Sequence, residues 1–208
     1  MRSRALEILL TLRKNVSRVP EYARDDALRL LAREQEVIER FQQILAQKIN
    51  AMRTRIHGDY HLGQVLYTGD DFIIIDFEGE PARSLYERRM KRSPLRDVAG
   101  MLRSFEYAIY TSLSHQTDKG GFHRQEDYEV LETWAQFWCR WVSAVFMQEY
   151  LSVAQGALFV PADPQELQVL LNIFLLDKAM YELNYELNNR PGWVRVPLLA
   201  ILQILDGA

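Results

Sequence analysis

The stretch Arg55-Ile56-His57-Gly58-Asp59-Tyr60-His61-Leu62-Gly63-Gln64-Val65-Leu66 and the later Ile73-Ile74-Ile75-Asp76-Phe77-Glu78-Gly79-Glu80-Pro81 constrain this chain most. The first reads as a short strand, a loop crowded with polar side chains, and another short strand. The second is a strand ending in acids, and its unbroken β-branched run suits a strand covered on both faces. Between them, Tyr67-Thr68-Gly69-Asp70-Asp71 is a turn signal, so the flanking strands are expected to form a hairpin. That pairing would bring Gln64 and Asp76 from the two sides of the turn towards one spot, with Asp59 nearby on the loop.

The remainder reads as helix. Residues 3–14 form a first helix, and Pro20 stops any continuation through the break at 16–22. Asp25 or Asp26 is placed to cap a second helix, running to about Met52 on a stripe of Leu31, Ile38, Phe41, Leu45, Ile49 and Met52. After Pro81 come Arg83, Arg88, Arg89, Lys91 and Arg92, which read as an exposed loop or helix face or as a patch that attracts phosphate groups. Ser93-Pro94 opens a helix to about Leu113, and Gly120-Gly121 mark a loop over 114–125. A long helix from Glu126 to about Leu151 carries Leu131, Trp134, Phe137, Trp138, Trp141, Val145 and Phe146, a stripe expected to be core packing. Asp163-Pro164 starts a helix over Leu167–Leu187 that is apolar nearly all round in its first half, hence deeply buried. A last helix covers about 194–205. Clustered strands among about seven helices argue against a parallel α/β sheet and for a mainly α fold with a small β-hairpin.

Composition narrows the function classes. At 208 residues one domain is the default, with net charge -3 and no basic excess to neutralise the phosphates of nucleic acid. No apolar run is long enough to span a bilayer, and Glu7 interrupts the short run Ile8-Leu9-Leu10 at an end with no small-residue cleavage site. The single cysteine, Cys139, excludes an intramolecular disulfide, fits a reducing compartment and reads as a buried thiol among Phe137, Trp138 and Trp141. These features point to a cytoplasmic protein with neither nucleic acid nor membrane as partner.

At the loop, Asp59 lies on a strand-to-loop exit, where a carboxylate can orient a substrate hydroxyl and accept its proton. Gln64 offers an amide oxygen and Asp76 an anionic one, the ligand types that Mg²⁺ takes together with water and substrate phosphates. A base, a metal clamp and positioning are what phosphoryl transfer asks of a protein.

The order His57-Gly58-Asp59, Gln64, then Asp76-Phe77-Glu78 resembles the catalytic loop and metal-binding aspartate of the protein-kinase-like superfamily, nearest its aminoglycoside-phosphotransferase branch. Gln64 stands where that branch has Asn. The longer strings, with Pro94-Leu95-Arg96-Asp97-Val98-Ala99-Gly100-Met101-Leu102-Arg103-Ser104-Phe105, resemble the maltokinases, including the kinase-like domain of trehalose synthase fusions. The resemblance implies the C-terminal lobe of a kinase-like fold that transfers the ATP γ-phosphate to the anomeric hydroxyl of maltose, within α-glucan metabolism. It implies Asp59 as base, Gln64 and Asp76 as Mg²⁺ ligands, His57 and Asp97 as structural supports of the loop, and Glu78 behind the metal ligands. Lys178-Ala179-Met180-Tyr181-Glu182-Leu183-Asn184-Tyr185-Glu186 and Arg190-Pro191-Gly192-Trp193 also resemble the maltokinase pattern where the sugar lies, so Glu182, Tyr185, Glu186 and Trp193 are candidate sugar contacts.

On this reading the chain is a single domain, with N-terminal helices over 1–53, the catalytic loop and metal-binding hairpin over 54–81, and a helical subdomain with the sugar site over 93–208. No Gly-x-Gly-x-x-Gly occurs, and none of the five lysines lies on a plausible strand. The expectation is therefore a lobe inactive alone, whose ATP site is completed by a separate N-lobe, with maltose and a trehalose synthase domain as further partners. Two other classes stay open: a non-catalytic module binding a partner enzyme or α-glucan, and a metallohydrolase with His57, Asp59, His61 and Asp76 on Zn²⁺ or Mn²⁺.

Overall fold

The computed structural model describes residues 1–46, 49–81, 83–118 and 125–207, with the backbone alone for 44–46, 114–118 and 125–129. The order is α1 (Arg2–Asn15), α2 (Glu21–Ala32), α3 (Glu34–Ala46), β1 (Val65–Tyr67), β2 (Phe72–Ile74), α4 (Leu85–Arg89), α5 (Leu95–Asp118), α6 (Gln125–Val153), α7 (Pro164–Asn189) and α8 (Arg195–Asp206). The fold is mostly helical with one two-stranded antiparallel sheet. The chain divides into two compact units, one formed by 1–51 with 161–208 and the other by 52–160.

In the first unit α7 packs against α1, α3 and α8, which is why its sequence is apolar nearly all round. Leu176, Met180 and Leu183 of α7 meet Leu9 and Leu12 of α1, Leu30 of α2, Val37 of α3, and Leu198 and Ile201 of α8 in one buried core. Asp163 caps α7 by accepting from the N–H of Gln165 at 2.9 Å, and Pro164 fills the first turn. The single helix expected from Asp25 to Met52 is instead two. The first opens directly after Pro20, and the chain breaks at Arg33, whose N–H bonds Leu30 O at 3.0 Å. No glycine or proline marks that break. At the break Arg33 reaches Glu36 at 2.8 Å and Asp206 at 2.6 Å.

In the second unit the hairpin has the expected order, with Val65 opposite Ile74, Leu66 opposite Ile73 and Tyr67 opposite Phe72. Its turn is closed by Thr68 N–H to Asp71 O at 2.9 Å. The expectation of a strand covered on both faces is corrected: Ile73 is 52% exposed and Phe72 65% exposed. The sheet has two strands and no third to flank it among the described residues. Within the basic stretch Arg88 and Arg89 lie on α4, which is capped reciprocally by Ser84 and Glu87, and Arg83, Lys91 and Arg92 flank it. Helix α5 continues past Leu113 to Asp118, and the glycine pair of the expected loop lies outside the described residues.

The aromatic stripe of α6 is a second correction. Trp134, Phe137, Trp138, Trp141 and Val145 lie on its exposed face, with Trp141 65% exposed. The opposite face is the packed one: Phe146 meets Phe105 of α5 edge-on, centroids 5.8 Å apart. Cys139 is buried, and burial pushes its thiol up to about 11. Helical periodicity located both faces of α6 but could not say which one has a neighbour. No helix among the described residues is long and apolar enough to cross a membrane. Replacing fully buried Leu95 with Ala is expected to cost about 2–5 kcal/mol. Trp141→Gln should change stability by less than about 0.5 kcal/mol, and urea unfolding followed by circular dichroism measures both.

Candidate active site

The polar loop between Ile56 and Val65 is held from two directions, and helix α5 supplies the first. Asp97 lies in its opening turn and accepts the backbone N–H of His57 at 2.7 Å and of Gly58 at 2.9 Å. Three residues on, Gly100 admits the Tyr60 carbonyl so closely that a Cβ there would lie 2.6 Å from that oxygen. Four residues further, Ser104 Oγ accepts the N–H of Leu62 at 3.1 Å while donating to Met101 O at 2.8 Å. Positions 97, 100 and 104 share one helical face, so a single straight surface seats successive points of the loop. Burial raises the Asp97 carboxyl above the usual range, against the opposing pull of the Gly58 and His57 N–H groups. Burial also raises the Tyr60 phenol, with the Asp97 charge adding to it.

His57 supplies the second hold. Its Nδ1 accepts the N–H of Asp59 at 3.4 Å, which requires that nitrogen to be unprotonated, so Nε2–H donates to Ile75 O at 2.8 Å. The buried ring therefore ties the loop to the end of the hairpin, directly before Asp76. It lies between Phe77 and Tyr60, with centroids at 5.0 and 5.6 Å. His61 accepts the N–H of Gly63 at Nδ1, 3.0 Å, and its Nε2 lies 3.8 Å from Asp59 Oδ2.

The hairpin brings Gln64 and Asp76 together. Ile75 N–H donates to Gln64 O at 3.0 Å, extending the ladder one step past β1 and β2. Beyond it, Gln64 Nε2 donates to Asp76 Oδ2 at 3.0 Å. Asp76 has φ 62°, and it alone among the described non-glycine residues has a positive φ. A left-handed backbone at aspartate costs on the order of 1 kcal/mol and persists where surrounding bonds over-determine it. Here the His57 bond to Ile75 and the Gln64 ladder step do so. One amide oxygen beside an exposed carboxylate is a donor set that fits a hard divalent ion completing its shell with water and phosphates.

The alternative set of His57, Asp59, His61 and Asp76 around Zn²⁺ or Mn²⁺ is not assembled. Both His57 nitrogens face backbone groups, and no cluster of three or more His, Cys, Asp or Glu among the described residues is placed to hold a metal.

The remaining candidates lie in the other unit. Glu182 and Glu186 are buried on α7, and Glu186 binds Arg190 through both carboxylate oxygens, at 2.6 and 2.9 Å. The Arg190 guanidinium lies over the rings of Tyr185 at 5.2 Å and Trp193 at 5.0 Å. Glu186, Arg190, Tyr185 and Trp193 thus form one compact acid–guanidinium–aromatic group. Glu78 is exposed, directly before Gly79.

Gly100 and Ser104 were not singled out from the sequence. Their signal was available as spacing from Asp97, but spacing alone does not tell a loop-bearing helix face from a core-bearing one. Gly100→Ala is expected to displace the Tyr60 carbonyl, destabilise this unit by about 1–3 kcal/mol and speed amide exchange at residues 58–62. Hydrogen-exchange NMR measures this, and an unchanged exchange pattern would contradict the seating of the loop on α5.

Comparison with known proteins agrees with this architecture. A glucosamine kinase of Mycolicibacterium smegmatis is 25% identical over 151 residues, covering 72% of this chain and 34% of the relative. A glucosamine kinase of Streptacidiphilus jiangxiensis is 24% identical over 151 residues, covering 72% and 31%. Among solved structures, glucosamine kinase in complex with glucosamine, ADP and inorganic phosphate superposes with TM-score 0.71 at 20% identity, over 97% of this chain and 44% of that one. A second glucosamine kinase structure, crystal form B, gives TM-score 0.69 at 22% identity, over 97% and 45%. The fold is that of these kinases, and the chain spans about a third of the length of the curated relatives it matches. The pattern of the phosphotransferase enzyme family (APH) matches residues 6–134, more than half of the chain, and this chain belongs to that family.

Proposed function

We propose that this chain is the catalytic lobe of an ATP-dependent sugar kinase. The observation that carries the reading is the strained Asp76, held beside Gln64 by a hairpin that His57 bonds to the Asp59 loop. In this reading Asp59 orients the acceptor hydroxyl and takes its proton as the oxygen bonds to the γ-phosphorus of ATP, whose bond to the bridging oxygen breaks to release ADP. Gln64 and Asp76 would hold Mg²⁺, which when bound neutralises charge on the phosphates. His57 and Asp97 act as positioning residues, keeping the loop and the hairpin end in one register. The neutral His57 tautomer follows from its two backbone partners, so it is not itself a proton donor to substrate.

The glucosamine kinases among the relatives favour an amino-hexose acceptor, whereas the strings shared with maltokinases favour maltose. The aromatic faces of Tyr185 and Trp193, with Glu182, are the proposed sugar surface, where a flat ring suits a pyranose; Glu186, buried with both oxygens on Arg190, holds the guanidinium in place instead of contacting the sugar. The glycine-rich loop and strand lysine of a kinase-like ATP site are assigned to a nucleotide-binding lobe. The exposed apolar faces of the hairpin, Leu66 with Ile73 and Tyr67 with Phe72, are the kind of surface that such a lobe would cover.

In the enzyme joined to that lobe, Asp59→Asn is expected to lower turnover by about 10²–10⁴-fold with little change in fold. Near-normal turnover would defeat the base assignment. Asp76→Ala should raise the Mg²⁺ requirement or abolish activity, and an unaltered Mg²⁺ dependence would remove it as a ligand. Coupled ATPase assays with glucosamine and with maltose decide the acceptor; stimulation by neither would reject both sugars.

A further inference from the structure

Between Arg83 and Arg96 the chain carries six basic side chains and one acid, although its net charge is -3. The structure gathers four of them. Arg83, Arg88, Arg92 and Arg96 line one shallow, solvent-open cleft together with Glu80 and Glu87. All four arginines are half-buried. The two glutamates offset part of that charge. The Ser84 hydrogen bonds, with Oε2 accepting its N–H and hydroxyl at 3.1 and 3.0 Å, and more weakly the charges of Arg83 and Arg92 hold the Glu87 carboxyl below its usual range. Among the described residues Arg83, Arg88 and Arg92 have no carboxylate within ion-pair distance. Arg88 Nε instead donates to the backbone oxygen of Arg83 at 3.1 Å, and Arg92 reaches Met90 Sδ at 3.8 Å. The backbone of Arg92 is fixed by two hydrogen bonds with Thr54, at 2.8 and 2.9 Å. Half-buried guanidiniums that share a cleft repel one another and have lost water, so the arrangement is favourable when an anion sits among them.

We propose that this cleft is a binding site for a phosphate dianion or a phosphate monoester, gripped by Arg83, Arg88 and Arg92. Four arginines against two glutamates leave a surplus matched by a doubly charged anion, and forked guanidiniums suit its tetrahedral oxygens. Gly58 and Gly79 form part of the wall. A Cβ at Gly79 would lie 3.4 Å from His57 O and 3.5 Å from Arg88 Cγ, so Gly79 lies between the stem of a cleft arginine and the backbone at the start of the Asp59 loop. Occupancy therefore steadies that loop through Gly58 and Gly79, and the site regulates rather than reacts. It is independent of the acceptor and of the Mg²⁺ assignment.

The probes are inorganic phosphate and glucose 1-phosphate, titrated calorimetrically into the chain without divalent ions and at constant ionic strength set by chloride. One saturable site per chain is expected for at least one probe, and the preferred probe tells free phosphate from ester. Arg83→Gln with Arg92→Gln, which keeps the aliphatic stems, should weaken binding by at least about tenfold. Asp76→Asn should leave it unchanged, because that residue belongs to the proposed phosphoryl site. Bound phosphate should also slow amide exchange at Gly58 and Gly79. Heats that do not saturate, equal affinity in the double glutamine variant, or loss of binding in Asp76→Asn alone would each overturn the proposal. If the double variant fails to fold, Arg88→Gln with the same titration replaces it.

Discussion

One neutral imidazole sets the geometry on which the rest depends. His57 uses Nδ1 towards Asp59 N–H and Nε2 towards Ile75 O, so a single ring closes the gap between the loop and the strand that delivers Asp76. Asp97 then fixes the same ring's backbone from the helix side, and Gln64 fixes Asp76 from the hairpin side. These bonds are mutually supporting. A shift of the loop away from α5 would break the Asp97 pair and also swing the ring off Ile75. The left-handed Asp76 is the cost of this closure and is retained because several partners hold it at once.

Much of this was legible from residue types at fixed offsets. The turn residues between two β-branched runs announced the hairpin, and a period-2 ladder necessarily carries Gln64 and Asp76 to the same end of it. Asp163-Pro164 announced the start of α7 for the same local reason, a side chain that accepts orphan N–H groups. What stayed hidden were facts about neighbours. The helix breaks at Arg33 with no glycine or proline there, beside an ion pair to Asp206 that lies far away in sequence. The tryptophans of α6 and the isoleucines of β2 have the composition of a core and lie at the surface, because burial needs a second layer that composition does not specify. Gly100 and Ser104 read as ordinary helix residues until the loop is seen lying on them.

The basic stretch and the proposed catalytic loop of this chain share structure as well as sequence. The segment that follows Asp76 turns back through Gly79, forms the short capped helix α4, and pairs Arg92 with Thr54 just ahead of the polar loop. The same few residues thus border both the acidic Gln64–Asp76 end and an arginine-lined cleft.

The central claim is that Gln64, Asp76 and the Asp59 loop form one divalent-ion and phosphoryl site. Its most direct test is paramagnetic broadening by Mn²⁺, standing in for Mg²⁺, in isotope-labelled chain with a nucleotide present. The account predicts broadening concentrated at the amides of Asp59, Gln64 and Asp76 and removed by excess Mg²⁺. Broadening spread evenly over surface carboxylates, or absent from these three while present elsewhere, would contradict it.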